Sequence, residues 1–361
     1  EIHERLVGSE MCIRDSFTNS GLTGRQMQAK AKNMLYDWFV TFRKEGFTEW
    51  NSSPYLPIDT LGFGSLYAFA QDPAMRELGR EGMDFAYYLL AVHSQQGIFA
   101  SSSGRTYIKE QFGNWSNCPS GLSWIGYGYG VPGHAGKGIT SYCLSDYEPP
   151  KEFAQWFSIP RGKEMICQTT QGNDGYVDLY TYKTADYMMT SANDFHPGEP
   201  GHQENPFQLT FNAVAQLWVT HPGERVLFGA ARPSYWAGNG TLPKVNQYKA
   251  FAGLIYDIAP EHPVDFTHLY LPSMEFDRCE VEGKWAFVQL GSAYAAVYCS
   301  NGMRMQDFGS NKDRECIAEG RRCIWLVRAA QADEFAAFED FKAAMRGAAL
   351  DADAEGRRYR F

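Results

Sequence analysis

The chain contains 361 residues and has a formal net charge of −9, and 15% of its residues are aromatic whereas 21% are charged. This length allows a large hydrophobic core and two domains. The negative charge excludes the basic footprint that is typical of a nucleic-acid-binding protein. No segment approaches the roughly 20 consecutive apolar residues that a membrane helix needs. We therefore expect neither a nucleic acid nor a membrane as a partner.

The first 16 residues do not resemble a native N-terminus. Residues 7–16 are similar to a peptide that arises when sequencing-adapter reads are translated into an assembled reading frame. Residues 1–16 are therefore treated as a non-native segment and left out of the fold prediction.

The cysteines indicate neither a zinc site nor a disulfide framework. One of the eight, Cys12, lies in the excluded segment, and the other seven are scattered without any CxxC spacing. Cys316 and Cys323 are neighbours in the sequence, so they are the first candidates for a bridge if the protein is exported.

The next part of the chain predicts helices. Apolar residues recur at helical spacing over 26–45, and Gly46 can end this helix. A polar and aromatic loop over 47–59 leads into a second helix that ends near Ala70.

A third helix begins with a strong start signal. Asp72 is a good cap, and Pro73 is favoured at the first helical position. We expect this helix to run to about Ser94 and Gly97 to end it in a left-handed conformation.

After about residue 186 the pattern alternates between apolar and polar residues, which predicts strands. The expected strands cover residues 187–191, 208–220, 250–258, 266–271, 285–290, 294–299 and 324–328. A terminal helix over 334–345 is expected to bury Phe335, Phe338 and Phe341. Helices followed by strands indicate an α+β protein with separate helical and antiparallel β domains.

The stretch 193–223 is crowded with titratable side chains. They are His196, His202, His221, Asp194, Glu199 and Glu204. Such a Pro- and Gly-broken loop beside a strand is a common position for a functional site. The spacing of its histidines and acids matches no zinc motif, so we predict no metal and no cofactor.

Five motifs together resemble a known architecture. They are GFTEWNSSPY over 46–55, His93-Ser94, GRTY over 104–107, PGEPGHQE over 197–204 and RPSYWAGNG over 232–240. The layout over about 26–345 is similar to the (α/α)-toroid plus β-sandwich enzymes, which include heparinase II/III-like polysaccharide lyases and β-glucuronidases of glycoside hydrolase family 154.

This resemblance implies a multidomain α+β fold. It consists of a partial (α/α) toroid of helical hairpins over 17–185, an antiparallel β-sandwich over 186–350 and a loose charged tail over 351–361. A full toroid contains more helical hairpins than this chain does, so the resemblance implies the C-terminal part of a longer protein. It also implies an oligo- or polysaccharide substrate that contains uronic acid, and a secreted or periplasmic location.

Glycoside hydrolysis requires two carboxyl groups, one as acid and one as base or nucleophile. Glu49 and Glu204 are the first candidates, and Asp59 and Asp194 lie in the same two loops. Asp59 stands near the start of a helix, where the sequence favours a capping role. A solvated loop acid is the structural alternative for each of these residues.

Lyase chemistry instead needs a base to remove the proton beside the uronate carboxylate and a cation to neutralise that carboxylate. His93, His202, His221 and Tyr107 are the residues that could supply the base. Arg105 or Arg232 is the expected carboxylate clamp, because a guanidinium binds a carboxylate through two hydrogen bonds.

Three residues of the same motifs, Asn51, Tyr55 and Trp236, complete the expected substrate-binding set. We expect hydrolysis first and β-elimination second, with a non-catalytic carbohydrate-binding or structural role as the third hypothesis. The site requires a particular geometry. His202 and Glu204 must face Glu49, His93 and Arg105 across a groove.

Overall fold

The structure is a computed structural model that describes residues 16–113, 117–132, 138–172, 177–355 and 357–360. Helices dominate up to about residue 160, and antiparallel strands form most of the remainder. The α+β class predicted from the sequence is therefore confirmed. The segment predicted to be non-native lies outside the described residues, except for Ser16. Among the described helices, none is long and apolar enough to cross a membrane.

Three long helices follow a short hairpin, and local signals fix their ends. The hairpin and helices are β1 (Ser16–Phe17), β2 (Leu22–Thr23), α1 (Gly24–Glu45), α2 (Leu56–Phe69) and α3 (Pro73–Val92). The Thr23 hydroxyl accepts from the Gln26 amide at 3.3 Å, and the Asp72 carboxylate accepts from the Ala74 amide at 2.9 Å. Each bond satisfies an amide that a helix start leaves unpaired. Gly46 ends α1 with a φ of 65°, so the predicted start and stop signals are confirmed.

Gly97 does not cap a helix, although the sequence had indicated that it would. The helix α3 ends at Val92, and Gly97, with a φ of 84°, lies in the turn between β3 (Ser94–Gln95) and β4 (Ile98–Phe99). Positive φ values favour Gly at a two-residue hairpin turn as well as at a helix end, so the sequence signal was ambiguous. The remaining short helices are α4 (Ile108–Gln111), α5 (Ser120–Tyr127), α6 (Ile139–Cys143) and a 3₁₀ turn at Lys151–Trp156.

The helices pack through a core that is rich in aromatic residues. Phe39 and Phe42 of α1 contact Phe63 of α2, with ring centroids 6.0 and 5.7 Å apart. Gly79 of α3 lies so close to α2 that a Cβ atom there would come within 2.5 Å of the Tyr67 amide nitrogen. The close approach of α2 and α3 therefore requires a residue without a side chain.

Two antiparallel sheets form the rest of the fold. Their strands are β5 (Met165–Gln171), β6 (Val177–Lys183), β7 (Met188–Asn193), β8 (Phe207–Thr210), β9 (Gln216–Thr220), β10 (Lys244–Tyr248), β11 (Phe251–Asp257), β12 (Phe266–Tyr270), β13 (Arg278–Glu282), β14 (Trp285–Leu290), β15 (Ala293–Cys299), β16 (Arg304–Met305), β17 (Glu315–Glu319) and β18 (Arg322–Gln331). One sheet has eight strands in the order β16-β17-β12-β9-β8-β7-β6-β5, and the other has six in the order β10-β11-β18-β15-β14-β13.

The two sheets share one hydrophobic core. Leu209 and Leu217 of the eight-stranded sheet belong to the same buried cluster as Leu254 and Trp325 of the six-stranded sheet. Burial of a large apolar side chain contributes about 1.5–3 kcal/mol. This cluster is the main source of stability for the β region.

The β region begins earlier than the sequence pattern indicated. The strands β5 and β6 pair with each other and join β7, so the expected boundary at residue 186 lies inside the eight-stranded sheet. The strand β5 is an edge strand whose polar residues, including Gln168 and Thr170, lie exposed. Such a strand lacks the alternation of apolar and polar residues that identifies a half-buried strand.

The expected strand over 208–220 is two strands, β8 and β9, joined by a turn. The Asn212 side chain accepts from the amides of Val214 and Ala215 at 2.9 and 2.8 Å. An Asn side chain that bonds its own backbone two or three residues ahead stabilises a turn, and this interrupts the apolar run.

The described residues of the C-terminal segment form regular structure, in contrast to the loose tail expected from the sequence. The helix α7 (Phe338–Gly347) buries Phe338 and Phe341 as predicted, whereas Phe335 precedes the helix. Beyond it, β19 (Asp351–Asp353) and β20 (Arg358–Arg360) pair as a hairpin. The Tyr359 ring lies over Gly253, where a Cβ atom would be 2.3 Å from Tyr359 Cζ. One half-buried ring therefore joins the hairpin to the six-stranded sheet.

The closest cysteine pair in the β region differs from the one that sequence spacing favoured. The Cys299 and Cys323 sulfurs are 3.2 Å apart, whereas the Cys316 sulfur lies 3.9 Å from that of Met305. Strand pairing, and not sequence distance, brings Cys299 and Cys323 together.

A buried lysine joins the helical region to the sheet. Lys183 of β6 is completely buried, and its ammonium group donates to the carbonyl oxygens of Ala91 at 3.0 Å, Ser94 at 2.5 Å and Trp156 at 2.6 Å. Ala91 lies in the last turn of α3, where carbonyl groups lack helical partners and a cation is favoured.

We predict that Lys183→Met lowers the free energy of unfolding by about 3 kcal/mol, because three buried carbonyl groups lose their donor. Urea denaturation followed by circular dichroism measures this change. Lys244→Met is the control, because Lys244 is half exposed and pairs with Asp194 at 3.7 Å, and a surface pair contributes less than about 1 kcal/mol. Equal effects of the two substitutions would contradict the role assigned to Lys183.

Candidate active site

Two distant segments are tied together by backbone hydrogen bonds, and this brings the candidate residues into one place. The Ser103 and Asn205 backbones exchange two bonds, at 2.9 and 2.7 Å, and the Thr106 amide donates to the Gln203 carbonyl at 3.0 Å. The Gly104 amide donates to the Trp50 carbonyl at 2.8 Å. The loop after α1, the segment after β4 and the loop before β8 therefore meet.

The ion pair of Glu49 and Arg105 lies at this junction. Glu49 Oε1 is 2.5 Å from Arg105 Nη2, and both side chains are only partly exposed. Arg105 also donates to Gln203 Oε1 at 3.0 Å and to the Tyr107 hydroxyl at 3.3 Å. These contacts hold the guanidinium in one orientation beside Glu49.

Four of the five side chains that were expected to converge line one cavity of about 290 Å³. They are Glu49, Arg105, His202 and Glu204. The predicted groove between the helical loops and the 193–223 stretch is thus present for these four. Trp50 and Phe195 line the same cavity, with ring centroids 5.6 Å apart.

The fifth residue, His93, does not join this group, so its assignment as a catalytic base is wrong. His93 is completely buried at the end of α3, and its Nδ1 lies 3.0 Å from the Thr181 hydroxyl. Burial, aided by the positive charge of Lys183, lowers the pKa of His93 to about 3. An imidazole with so low a pKa is a weak base, and burial in the core keeps it away from a substrate in the cavity.

Two further expected residues are structural as well. The Asn51 side chain is buried, donates to the Ser102 carbonyl at 3.3 Å and accepts from Gln171 at 3.1 Å. Trp236 is also buried and stacks on His268 with centroids 4.3 Å apart. Neither offers a free surface to a sugar, because each is satisfied within the protein.

Tyr55, Tyr107 and Arg232 extend the cluster around Arg105. The Arg105 guanidinium lies 5.1 Å from the Tyr55 ring centroid, and the Arg232 guanidinium lies 5.3 Å from that of Tyr107. The hydrogen bond from Arg105 lowers the pKa of Tyr107, and a hydrogen bond to Tyr107 raises the pKa of Tyr55. Positive charge favours the phenolate form, so Tyr107 is the more acidic of the two phenols.

Glu204 is less constrained than Glu49. Its carboxylate accepts from the His202 amide at 2.5 Å, and the Glu204 carbonyl accepts from Asn239 at 3.0 Å. The first bond lies within its own loop and fixes the turn, which is the structural role weighed for a loop acid. In the described chain, no group of three or more His, Cys, Asp or Glu residues could hold a metal ion.

The structure makes Asp59, for which the sequence favoured a capping role, a candidate residue of the site. Asp59 and Glu49 line the same narrow cavity. Burial raises the pKa of Asp59 to about 7, and the nearby Glu49 carboxylate raises it further. Asp59 lies in the first turn of α2 but is not its cap residue, which is Tyr55. Its signal in the sequence is that it is the single charged residue of an otherwise apolar helix.

The site therefore contains two carboxyl groups in different surroundings. Glu49 forms an ion pair with Arg105, whereas Asp59 retains its proton up to about pH 7. Two neighbouring acids in such different environments can act as a general acid and a base or nucleophile. Comparison with known proteins gave no match to a protein-family model and none to a curated protein. The functional proposal therefore depends on the residues of the site and their surroundings.

We predict that the Asp59 carboxyl titrates near pH 7 and that Glu49→Gln lowers this pKa, because it removes a neighbouring negative charge. Between pH 3.8 and 7 the folded state then binds more protons than the unfolded state, so the contribution of Asp59 to stability falls as the pH rises through this window. Carbon-13 NMR of labelled aspartate measures both effects.

Asp72 serves as the internal reference, because Lys32 lowers its pKa and it lies away from Glu49. Titration of Asp59 at the ordinary value of 3.8, or a pKa that does not respond to Glu49→Gln, would contradict the coupling of the two carboxyl groups.

Proposed function

We propose that the protein is a glycan-cleaving enzyme that hydrolyses a glycosidic bond in an oligo- or polysaccharide containing uronic acid. The observation that supports this proposal is the pair of Glu49 and Asp59. The two side chains line one cavity, burial raises the pKa of Asp59 to about 7, and Glu49 forms an ion pair with Arg105. Glycoside hydrolysis requires one protonated and one ionised carboxyl group at the scissile bond.

In the proposed reaction, Asp59 donates its proton to the glycosidic oxygen as the bond to the anomeric carbon breaks. Glu49 stabilises the positive charge that develops on the sugar and either attacks the anomeric carbon or takes a proton from the attacking water. Glu49 lines both the narrow cavity that it shares with Asp59 and the wider cavity with Arg105 and His202. In this proposal the sugar approaches from the wider cavity.

Arg232 is the proposed partner of the uronate carboxylate. Arg105 is already committed to Glu49, whereas Arg232 is exposed, and no described carboxylate forms an ion pair with it. The Arg232 guanidinium lies 5.3 Å from the Tyr107 ring centroid, and a guanidinium can bind a carboxylate through two hydrogen bonds. Because the net charge of the chain is −9, an anionic ligand needs such a local cation.

The resemblance to (α/α)-toroid plus β-sandwich enzymes belongs to this proposal. The helical hairpin of α2 and α3, joined by residues 70–72, and the two antiparallel sheets with a common core support a partial toroid followed by a β-sandwich. A secreted or periplasmic location is proposed with it, because uronic-acid polysaccharides are extracellular polymers.

We predict that Asp59→Asn and Glu49→Gln each lower kcat for the release of reducing ends by about 10²–10⁴-fold, as expected for the loss of a general acid or base. For the wild type, kcat falls above about pH 7, because Asp59 then loses the proton that it must donate. Glu199→Gln is the control, because Glu199 is exposed and pairs only with His196. Full activity of Asp59→Asn, with the pH profile unchanged, would refute the assignment.

A second candidate reaction is β-elimination, which the lowered pKa of Tyr107 favours. In that reaction Tyr107 removes the proton next to the uronate carboxylate, and Arg232 neutralises the carboxylate. An elimination leaves an unsaturated product that absorbs ultraviolet light, whereas hydrolysis does not. If Tyr107→Phe abolishes turnover and the product absorbs, the hydrolase proposal fails and the lyase replaces it.

A further inference from the structure

A second, larger groove lies beside the candidate active site. Its volume is about 800 Å³, and its walls are the end of α1, the middle of α3 and the strands β5 and β6. This volume falls within the roughly 300–1,000 Å³ of typical ligand pockets. None of the catalytic candidates lines it, so the proposed chemistry leaves this groove unexplained.

The sheet side of the groove is rich in uncharged hydrogen-bonding groups. Gln168 and Thr170 of β5 are exposed in it, and the buried Thr169 hydroxyl has no hydrogen-bond partner among the described residues. The strand β5 is the edge of its sheet, and an edge strand presents backbone N–H and C=O groups that are not paired within the sheet. Sugar hydroxyl groups both donate and accept, so they can bind to such a mixed surface.

The charged groups of the groove compensate one another. Arg43 forms two hydrogen bonds to Glu81, at 2.6 and 2.7 Å, across the helical wall. Lys44, which also lines the groove, lies 3.6 Å from Glu45, and Asp178 provides a negative charge on the sheet wall. This environment lacks the uncompensated guanidinium that Arg232 provides at the other site, so it favours a neutral sugar over a uronate.

The groove and the candidate active site are neighbours along the same two segments of chain. Gly46 lines the groove and Thr48 lines the active-site cavity, whereas Asn193 lines the groove and Phe195 the cavity. Between them, the Gly172 amide donates to the Phe47 carbonyl at 3.0 Å. The contact between Phe47 and Gly172 is therefore what separates the groove from the candidate active site along these segments.

We propose that this groove binds neutral sugar units of the glycan whose uronic acid is held near Arg232 and Glu49. The inference rests on the proposed function and makes it more specific. The substrate is an extended chain in which uronic acid is linked to neutral sugars, and several units of it contact the protein at once. Affinity then increases with chain length beyond the units at the cleavage site.

The test compares two oligosaccharides of alternating glucuronic acid and N-acetylhexosamine, a disaccharide and a hexasaccharide, by isothermal titration calorimetry. Gln168→Trp places a large ring in the groove on an exposed edge strand, where it does not disturb the core. We expect it to weaken hexasaccharide binding at least about tenfold, a change of about 1.4 kcal/mol, and to reduce the ratio of hexasaccharide to disaccharide affinity accordingly.

Asn246→Trp is the matched control. Asn246 is also exposed on an edge strand, β10 of the other sheet, and we expect wild-type affinities and a wild-type ratio. Equal hexasaccharide affinity in Gln168→Trp and Asn246→Trp, or no binding of the hexasaccharide to the wild type, would overturn the proposal.

The assay of reducing ends on the same ligands separates this inference from the proposed function. Binding that depends on Gln168 without any cleavage supports sugar binding in the groove and refutes the proposed enzymatic activity. Cleavage at rates that depend neither on chain length nor on Gln168 supports the enzymatic activity and refutes sugar binding in the groove.

Discussion

The buried ammonium group of Lys183 is the interaction on which the arrangement of the two regions depends. Burial lowers the pKa of Lys183 to about 7, yet its three hydrogen-bond acceptors are three carbonyl oxygens, which match the three donors of a protonated amine. These carbonyls belong to the end of α3, to β3 and to the 3₁₀ turn. One side chain of the sheet thus fixes the position of three segments of the helical region.

This junction also determines where the candidate site forms. The chain leaves α3 beside Lys183, makes the β3–β4 hairpin and then runs past the sheet as the segment 99–106. Ser103 and Thr106 pair with the backbone of 203–205, and Arg105 between them points at Glu49. The ion pair of Glu49 and Arg105 is therefore positioned by backbone contacts on both sides. A loop held at both ends keeps its side chains in place with little loss of entropy on ligand binding.

The sequence revealed those features that depend on neighbouring residues. Asp72 and Gly46 mark helix ends because their effect is local, and both positions were predicted correctly. Burial depends on distant parts of the chain, so His93 and Trp236 looked like site residues although both lie in the core. Asp59 shows the opposite error, because its raised pKa comes from apolar neighbours that only the fold brings together.

Burial also decides which constellations of polar groups can be catalytic. The Thr220 hydroxyl lies 2.7 Å from His268 Nε2, and His268 Nδ1 lies 2.6 Å from Glu315 Oε1, which is the connectivity of a nucleophile, a base and an acid. All three side chains are at most 1% exposed. Tyr235 donates to the same oxygen of Glu315, at 2.6 Å. A substrate cannot reach the buried Thr220 hydroxyl. The network is therefore part of the polar core of the β region and not a catalytic site. Glu49 and Asp59 form a less regular arrangement, but Glu49 lines an open cavity. Access of a ligand to the polar groups distinguishes a candidate site from a polar core whose hydrogen bonds are all satisfied internally.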